Sequence, residues 1–189
     1  MDLTILTLIA IIAIAVAGSI LYLISIFNRL YSLRNSADAT LSQIGVALKK
    51  RLDLITQLVE SVKAYVKFER EIFERIARLR SEIFNPRTED LANVERESRS
   101  VMGAVLAIAE RYPDLKASTT VLNLMDAMRS VEDEIARQRY TYNNIVQEFN
   151  IMQDTFPSRS IAHAMKFSKL NYLQFEEEVE KPPSVKIQD

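Results

Sequence analysis

Residues 25–55 read SIFNRLYSLRNSADATLSQIGVALKKRLDLI. The stretch begins inside an uncharged run and ends among lysines and arginines, yet one pattern crosses it. Leu30, Leu33, Ala37, Leu41, Ile44, Leu48, Leu52 and Ile55 recur every three or four residues, the spacing of one face of an α-helix. The stripe continues through Val59, Val62, Val66, Phe73, Ile76 and Ile83, and no proline interrupts it before Pro86. Gly45 is its soft point, costing about 1 kcal/mol against alanine. The pattern predicts a single helix from Asn28 to Phe84, with the preceding segment running straight into it.

That preceding segment, residues 3–27, is LTILTLIAIIAIAVAGSILYLISIF and carries no charge. As a helix it is ~37 Å long, enough to cross a ~30 Å hydrocarbon core with some tilt. Ala15 and Ala17 are spaced like a signal-peptide cleavage site. However, no basic residue precedes the run, and a further apolar stretch, Ile20 to Phe27, follows the small residues. The segment reads as a permanent transmembrane anchor. Asp2 lies before it, while Arg29, Arg34, Lys49, Lys50 and Arg51 follow. The positive-inside rule then predicts a single-pass protein of the cell membrane with a cytoplasmic C-terminal domain. Ala13 and Ala17, or Ala15 and Ser19, have the four-residue spacing that lets two spans approach, but alanine is common in all such spans.

Two more long helices are legible. Asn85 precedes a proline, which disfavours helix there, and Thr88 is a suitable N-cap before Glu89 and Asp90. Leu91, Val94, Ser98, Val101, Val105, Ile108 and Tyr112 then mark the second helix. Val121, Leu124, Met128, Val131, Ile135, Gln138, Tyr142, Ile145, Phe149, Met152 and Phe156 mark the third, which Pro157 stops. Between them lies ERYPDLKAS, residues 110–118, which the pattern explains as a helix–helix connection. Tyr112 closes the seam, Pro113 ends the ladder, and Asp114 and Ser118 can accept from free N–H groups of the next helix. Ile161, Ala164, Met165, Phe167 and Leu170 suggest a short fourth helix folding back. Residues 176–189, EEEVEKPPSVKIQD, read as a disordered tail. The expectation is an all-α chain. A transmembrane anchor at 1–27 continues into an antiparallel helical bundle at 28–175, with three long helices and a short fourth, and a tail follows.

Composition removes several classes of function. Three scattered glycines, Gly18, Gly45 and Gly103, cannot build a phosphate-cradling loop or a dinucleotide turn. Cysteine is absent, which removes disulfides and thiolate chemistry. A single histidine, His163, cannot supply the paired Glu-x-x-His ligands of a bundle di-iron site. Adjacent carboxylates such as Glu132 and Asp133 point ~100° apart on a helix and do not converge on a substrate. With 24 basic against 25 acidic residues, no net field points to nucleic acid. The expectation is a protein that is not an enzyme and needs no cofactor or metal.

Three patches remain as candidates for contact. Lys49, Lys50 and Arg51 form a basic cluster that could read anionic lipid. On an upright helix Lys50 stands ~35 Å beyond the span, far outside the ~8 Å screening length. The plainer reading is a solvated face, with Arg51 snorkelling beside Leu48 and Leu52. Arg139, Asn143 and Asn150 could line a groove for a peptide or a second bundle, although buried amides more often fix helix register. The third patch follows from lengths. A first helix of ~85 Å outruns a second of ~36 Å, so the second cannot return to the membrane and the third heads away again. Leu30, Leu33, Leu41, Ile44 and Leu48 would then be left bare, and a bare apolar stripe is costly. That argument predicts self-association through the membrane-proximal helix.

The blocks LRNSADATLSQIGVALKKRLDLITQLVESVKAY, AIAERYPDLKAS, VEDEIARQRYTYNNIVQEFN and FPSRSIAHAMKF, in that order behind an N-terminal anchor, resemble the LemA family. The resemblance implies a membrane-anchored antiparallel helical bundle with no established enzymatic activity. Some relatives take part in forming magnetosomes, bacterial membrane organelles. The chain departs from the family pattern at Leu41, where an aromatic is usual, and at Thr56, where a proline is usual, so a straighter helix is expected there. Two functional expectations follow. One is a single-pass scaffold that self-associates and docks other membrane proteins through helix faces. The other is a protein that binds lipid and shapes or organises the bilayer.

Overall fold

The computed structural model describes residues 3–63, 70–83, 88–116 and 118–173. The described residues form six α-helices and no strand. They are α1 (Leu3–Val62), α2 (Arg70–Glu82), α3 (Thr88–Glu110), α4 (Pro113–Lys116), α5 (Thr119–Asp154) and α6 (Ser158–Ala164). The all-α expectation holds. So does the passage of the apolar segment, without a break, into the bundle: α1 is one helix of 60 residues. It runs through Gly45 undisturbed. A Cβ built there would meet Ile83 and Leu91 side chains at 3.7 and 3.9 Å, ordinary contact, so this glycine neither bends the helix nor is needed for space.

The first correction lies at the far end of that helix. The predicted helix to Phe84 stops at Val62, with Lys63 in a turn, and a separate helix begins at Arg70. Neither glycine nor proline marks the break. The cause is burial. Continued straight, Ile76 and Leu79 would stand in water; as α2 they are buried against the bundle. α2 lies beside α1, with the Arg80 guanidinium donating to Asp53 at 2.6 Å and to Thr56 at 3.2 Å, and the Lys63 ammonium over the Phe73 ring. The predicted stripe position Val66, the Asn85–Pro86 stop and the tail at 176–189 lie outside the described residues.

The α3–α5 connection matches expectation with one exchange of roles. Ser118 stands where an N-cap stands, its carbonyl accepting from Leu122 N–H at 3.0 Å. Pro113 opens the single-turn helix α4, a favoured place for proline. Tyr112, expected to close the seam, is exposed, and Leu115 is the buried plug.

The described residues group into two units, and α1 and α5 run through both. The first unit holds residues up to Thr40 with Tyr142–Asn171, and the second Leu41–Thr141 with residues from Tyr172. In the first, Ile26, Leu30, Leu33, Phe149 and Ala162 form a buried apolar cluster. Ile145, Met152, Ile161, Phe167 and Leu170 pack on it. In the second, Ile44, Leu48, Leu52, Ile55, Leu58 and Val59 of α1 are buried, as are Leu79 of α2, Leu91, Val94 and Val105 of α3, and Val131 and Ile135 of α5.

This arrangement overturns the length argument. The extra reversal after Val62 changes the direction of everything that follows, so α5 descends beside α1. Arg29 pairs with Glu148, and Lys50 with Glu134, so the partners on α5 fall as those on α1 rise. Leu30, Leu33, Ile44 and Leu48 are buried, and Leu41 is half-buried, all within one chain. The stripe offered for self-association is therefore already covered and requires no second copy.

Candidate functional site

The most unusual chemistry in the described residues lies inside the second unit. Arg51 is 0% exposed, although it belongs to the cluster expected in solvent. Leu48, Arg51 and Ile55 step by three and four, so the arginine stands on the apolar face itself. Its guanidinium meets three side chains and a backbone carbonyl. Nη1 donates to Ser98 Oγ at 3.0 Å and to the Glu95 carbonyl at 3.2 Å. Nη2 is 2.5 Å from Glu132 Oε2 and 3.7 Å from Glu95 Oε1. Arg99 closes the group, 2.6 Å from Glu95 and 3.7 Å from Glu132. Two guanidiniums thus share two carboxylates from α3 and α5. Ser98 sits on the α3 seam, where its small side chain leaves room for the arginine and its hydroxyl accepts from it.

Desolvation pulls the Arg51 guanidinium below its ordinary pKa, and the carboxylates of Glu132 and Glu95 oppose that shift. Arginine stays charged in any case, so the group cannot act as a base. Its effect is positional. Three helices must align to satisfy one buried cation, and a buried ion pair broken on one side is costly. Arg51 Nε and Glu132 Oε1 have no hydrogen-bond partner among the described residues. Beside the network lies a cleft of about 340 Å³ lined by Arg99, Met102, Glu132, Asp133, Ile135, Ala136 and Arg139. Among the described residues no three His, Cys, Asp or Glu side chains converge as a metal site requires.

The other expected residues scatter. Lys49 and Lys50 are exposed, Lys50 lying 3.4 Å from Glu134. Lys49 edges a second cleft, of about 420 Å³, with Val46, Asp53, Arg80 and Ile83. Arg51 is buried in the core and does not share the exposed surface of Lys49 and Lys50. Arg139, Asn143 and Asn150 all lie on α5, and Arg139 lines the smaller cleft of the second unit. Asn150 is fully engaged. Its Nδ2 donates to the Leu170 carbonyl and its Oδ1 accepts from Leu170 N–H, both at 3.0 Å. With Gln153 donating to the Ser168 carbonyl and Tyr142 to that of Asn171, it ties the segment after α6 along α5. The half-buried amide thus holds the segment after α6 in place.

Sequence reasoning missed the Arg51 network. Its signals were a charged residue in phase with the stripe and a serine on the α3 seam.

Comparison with known proteins places the chain in a family. The LemA family model matches residues 40–187. Protein LemA of Metamycoplasma hominis is 30% identical over 152 residues, 79% of this chain and 69% of that protein. Magnetosome protein MamQ 2 of Paramagnetospirillum magneticum is 28% identical over 75 residues, 40% of this chain and 28% of that protein. Magnetosome protein MamQ of Magnetospirillum gryphiswaldense is 26% identical over 73 residues, 39% of this chain and 27% of that protein. The stretches matched in the two magnetosome proteins are thus little more than a quarter of their length. On the family match and the likeness to Protein LemA, the chain belongs to the LemA family.

Proposed function

We propose that the protein is a single-pass membrane scaffold that holds a helical bundle at the cytoplasmic face and docks other membrane proteins. One observation carries the reading. α1 carries both the apolar segment and buried core residues in one unbroken helix, so no flexible linker separates anchor from domain. Every described side chain of the segment from Leu3 to Ser25 is exposed, as lipid-facing side chains must be in an isolated chain. Arg29 and Arg34 directly after the segment support the cytoplasmic placement. The bilayer is the first partner, and the exposed faces of α1 and α5, around Val46 and Tyr140, are where a protein partner would bind.

Two measurements test this. The chain has no cysteine, so Val46→Cys gives a single thiol. In intact cells it should resist a membrane-impermeant maleimide and react after lysis; labelling in intact cells would reverse the topology. A photo-crosslinking residue at Val46 or Tyr140 should give discrete adducts in native membranes. Uncrosslinked monomer at both positions would remove the scaffold reading.

A second reading, a protein that organises lipid, is favoured by the basic and aromatic residues where α5 turns into α6. The magnetosome proteins, to which part of this chain is similar, are named for a membrane-bounded organelle.

A further inference from the structure

Burial along α1 does not begin where the charges begin. It begins at Ile26, 7% exposed and still within the uncharged run. Ile26 belongs to the cluster that contains Phe149 of α5 and Ala162 of α6, with Met152 and Ile161 packed on it. The end of α5 and all of α6 therefore lie beside the end of the apolar run. Register says how far. Arg29 meets Glu148 across two antiparallel helices. Asp154, the last residue of α5, lies ~9 Å further along and so stands level with Leu23. An apolar run of ~37 Å exceeds the ~30 Å hydrocarbon core, which leaves its last turn for the headgroup layer. Tyr22 is an aromatic of the kind that marks that boundary.

The corner placed there is dressed for it. Phe156, expected in the core, is 87% exposed, and Ile151 and Met165 are exposed near it. Between residues 151 and 170 there are three cations, Arg159, Lys166 and Lys169, and one carboxylate, Asp154. Lys169 is held by Asp154 at 2.7 Å. Arg159 and Lys166 are exposed, and their side chains make no ion pair or hydrogen bond among the described residues. Lys166 also has φ 55°, in the left-handed region. It follows α6, with its N–H on the His163 carbonyl and Phe167 N–H on that of Ala162, at a position where glycine is least costly. A lysine there keeps a cation on the corner at the expense of backbone strain.

We propose that the α5–α6 corner is a second membrane contact. Phe156 enters the boundary between headgroups and acyl chains of the bilayer that holds α1, and Arg159 and Lys166 meet lipid phosphates. An apolar wedge flanked by cations is the chemistry of interfacial attachment. The inference rests on the anchor reading and adds to it. The first unit is braced at two points and cannot swivel freely about its span.

The protein contains no tryptophan, so Phe156→Trp is a single fluorescent reporter. The full chain is placed in nanodiscs of mixed phosphatidylcholine and phosphatidylglycerol, with Leu122→Trp as the control on the second unit. The corner reporter should emit to the blue of the control. Lipid brominated near the carbonyl end of the chain should quench it several-fold more than lipid brominated near the chain terminus. Adding Arg159→Gln and Lys166→Gln should weaken that quenching several-fold; no change would overturn the role of the two cations. Emission typical of water, with free access to acrylamide, would overturn the contact. So would shielding from acrylamide without quenching by brominated lipid, which would mean that protein covers the corner. Failure of both variants to enter nanodiscs would remove the anchor reading and this inference together, whereas a water-exposed corner reporter in loaded discs removes this inference alone.

Discussion

The two units bury different things. The first closes around Leu30, Leu33 and Phe149, and its charges, Arg29 with Glu148 and Asp154 with Lys169, stay outside. The second, whose helices also have long apolar faces, puts Arg51 among them and surrounds it with Glu95, Glu132, Ser98 and Arg99. Apolar contact is tolerant, since a helix can slide or rotate slightly and still be covered. A buried guanidinium is not tolerant, because a shift of an ångström leaves charge unpaired. The first unit is thus held by area and the second by alignment.

The largest effect should come from breaking the alignment. Arg51→Ala leaves Glu95 and Glu132 facing each other without their central cation. The cost should be about 3–5 kcal/mol in chemical denaturation of the detergent-solubilised chain. Replacing Arg51, Glu95 and Glu132 together with Met, Leu and Leu should restore most of that stability, since well-packed apolar residues often match a buried ionic group. A triple variant as unstable as Arg51→Ala would mean that the ionic network itself stabilises the fold and that apolar volume cannot replace it.

The matching test in the first unit is Leu30→Ala. It removes a fully buried side chain from a cluster with no charge to strand, and should cost about 2–5 kcal/mol through lost transfer energy and the cavity left behind. Leu30→Met should cost less than about 1.5 kcal/mol, because an apolar core accepts a swap of similar volume. If Leu30→Met proved as harmful as Leu30→Ala, the tolerance ascribed to this unit would be wrong.

Asn150→Leu attacks the paired hydrogen bonds that hold Leu170 in the first unit. It strands the N–H and C=O of Leu170, at about 1–3 kcal/mol. The loss should also be local. Amide exchange should accelerate at Leu170 and Asn171 while α5 stays protected, which separates a frayed segment from a weakened bundle.

How much of this was legible in the sequence follows the same division. The second and third helices read from apolar periodicity are present as α3 and α5, the short fourth is α6 and ends before Phe167 and Leu170, and the passage of the apolar segment into the bundle was readable because nothing from Leu3 to Val62 stops a helix. The break after Val62 was not readable. It carries no proline or glycine, and it exists because α2 gains more by covering α1 than by continuing it, a tertiary balance that local pattern does not contain. From that one missed reversal came the wrong direction for α5 and the inference of a bare stripe. Arg51 was half legible: its phase was visible, but its partners lie on other helices and only folding brings them together. Phe156 was misassigned because it is in phase with the α5 stripe but falls two residues beyond the end of that helix.

The smallest effect should come from the surface pair Arg29–Glu148, and its smallness is informative. Both side chains are about half exposed, so water and salt screen the attraction, and fixing two long side chains costs entropy. Arg29→Gln should change stability by about 0–1 kcal/mol, and less as salt is added. The same substitution removes one of the two cations directly after the span. Its larger consequence should therefore be a fraction of molecules inserted in the opposite sense, read as Val46→Cys becoming accessible from outside. A stability loss as large as that of Leu30→Ala would show that this pair is desolvated, as a headgroup layer pressed against it would make it, and would extend the membrane contact from the α5–α6 corner up to Glu148.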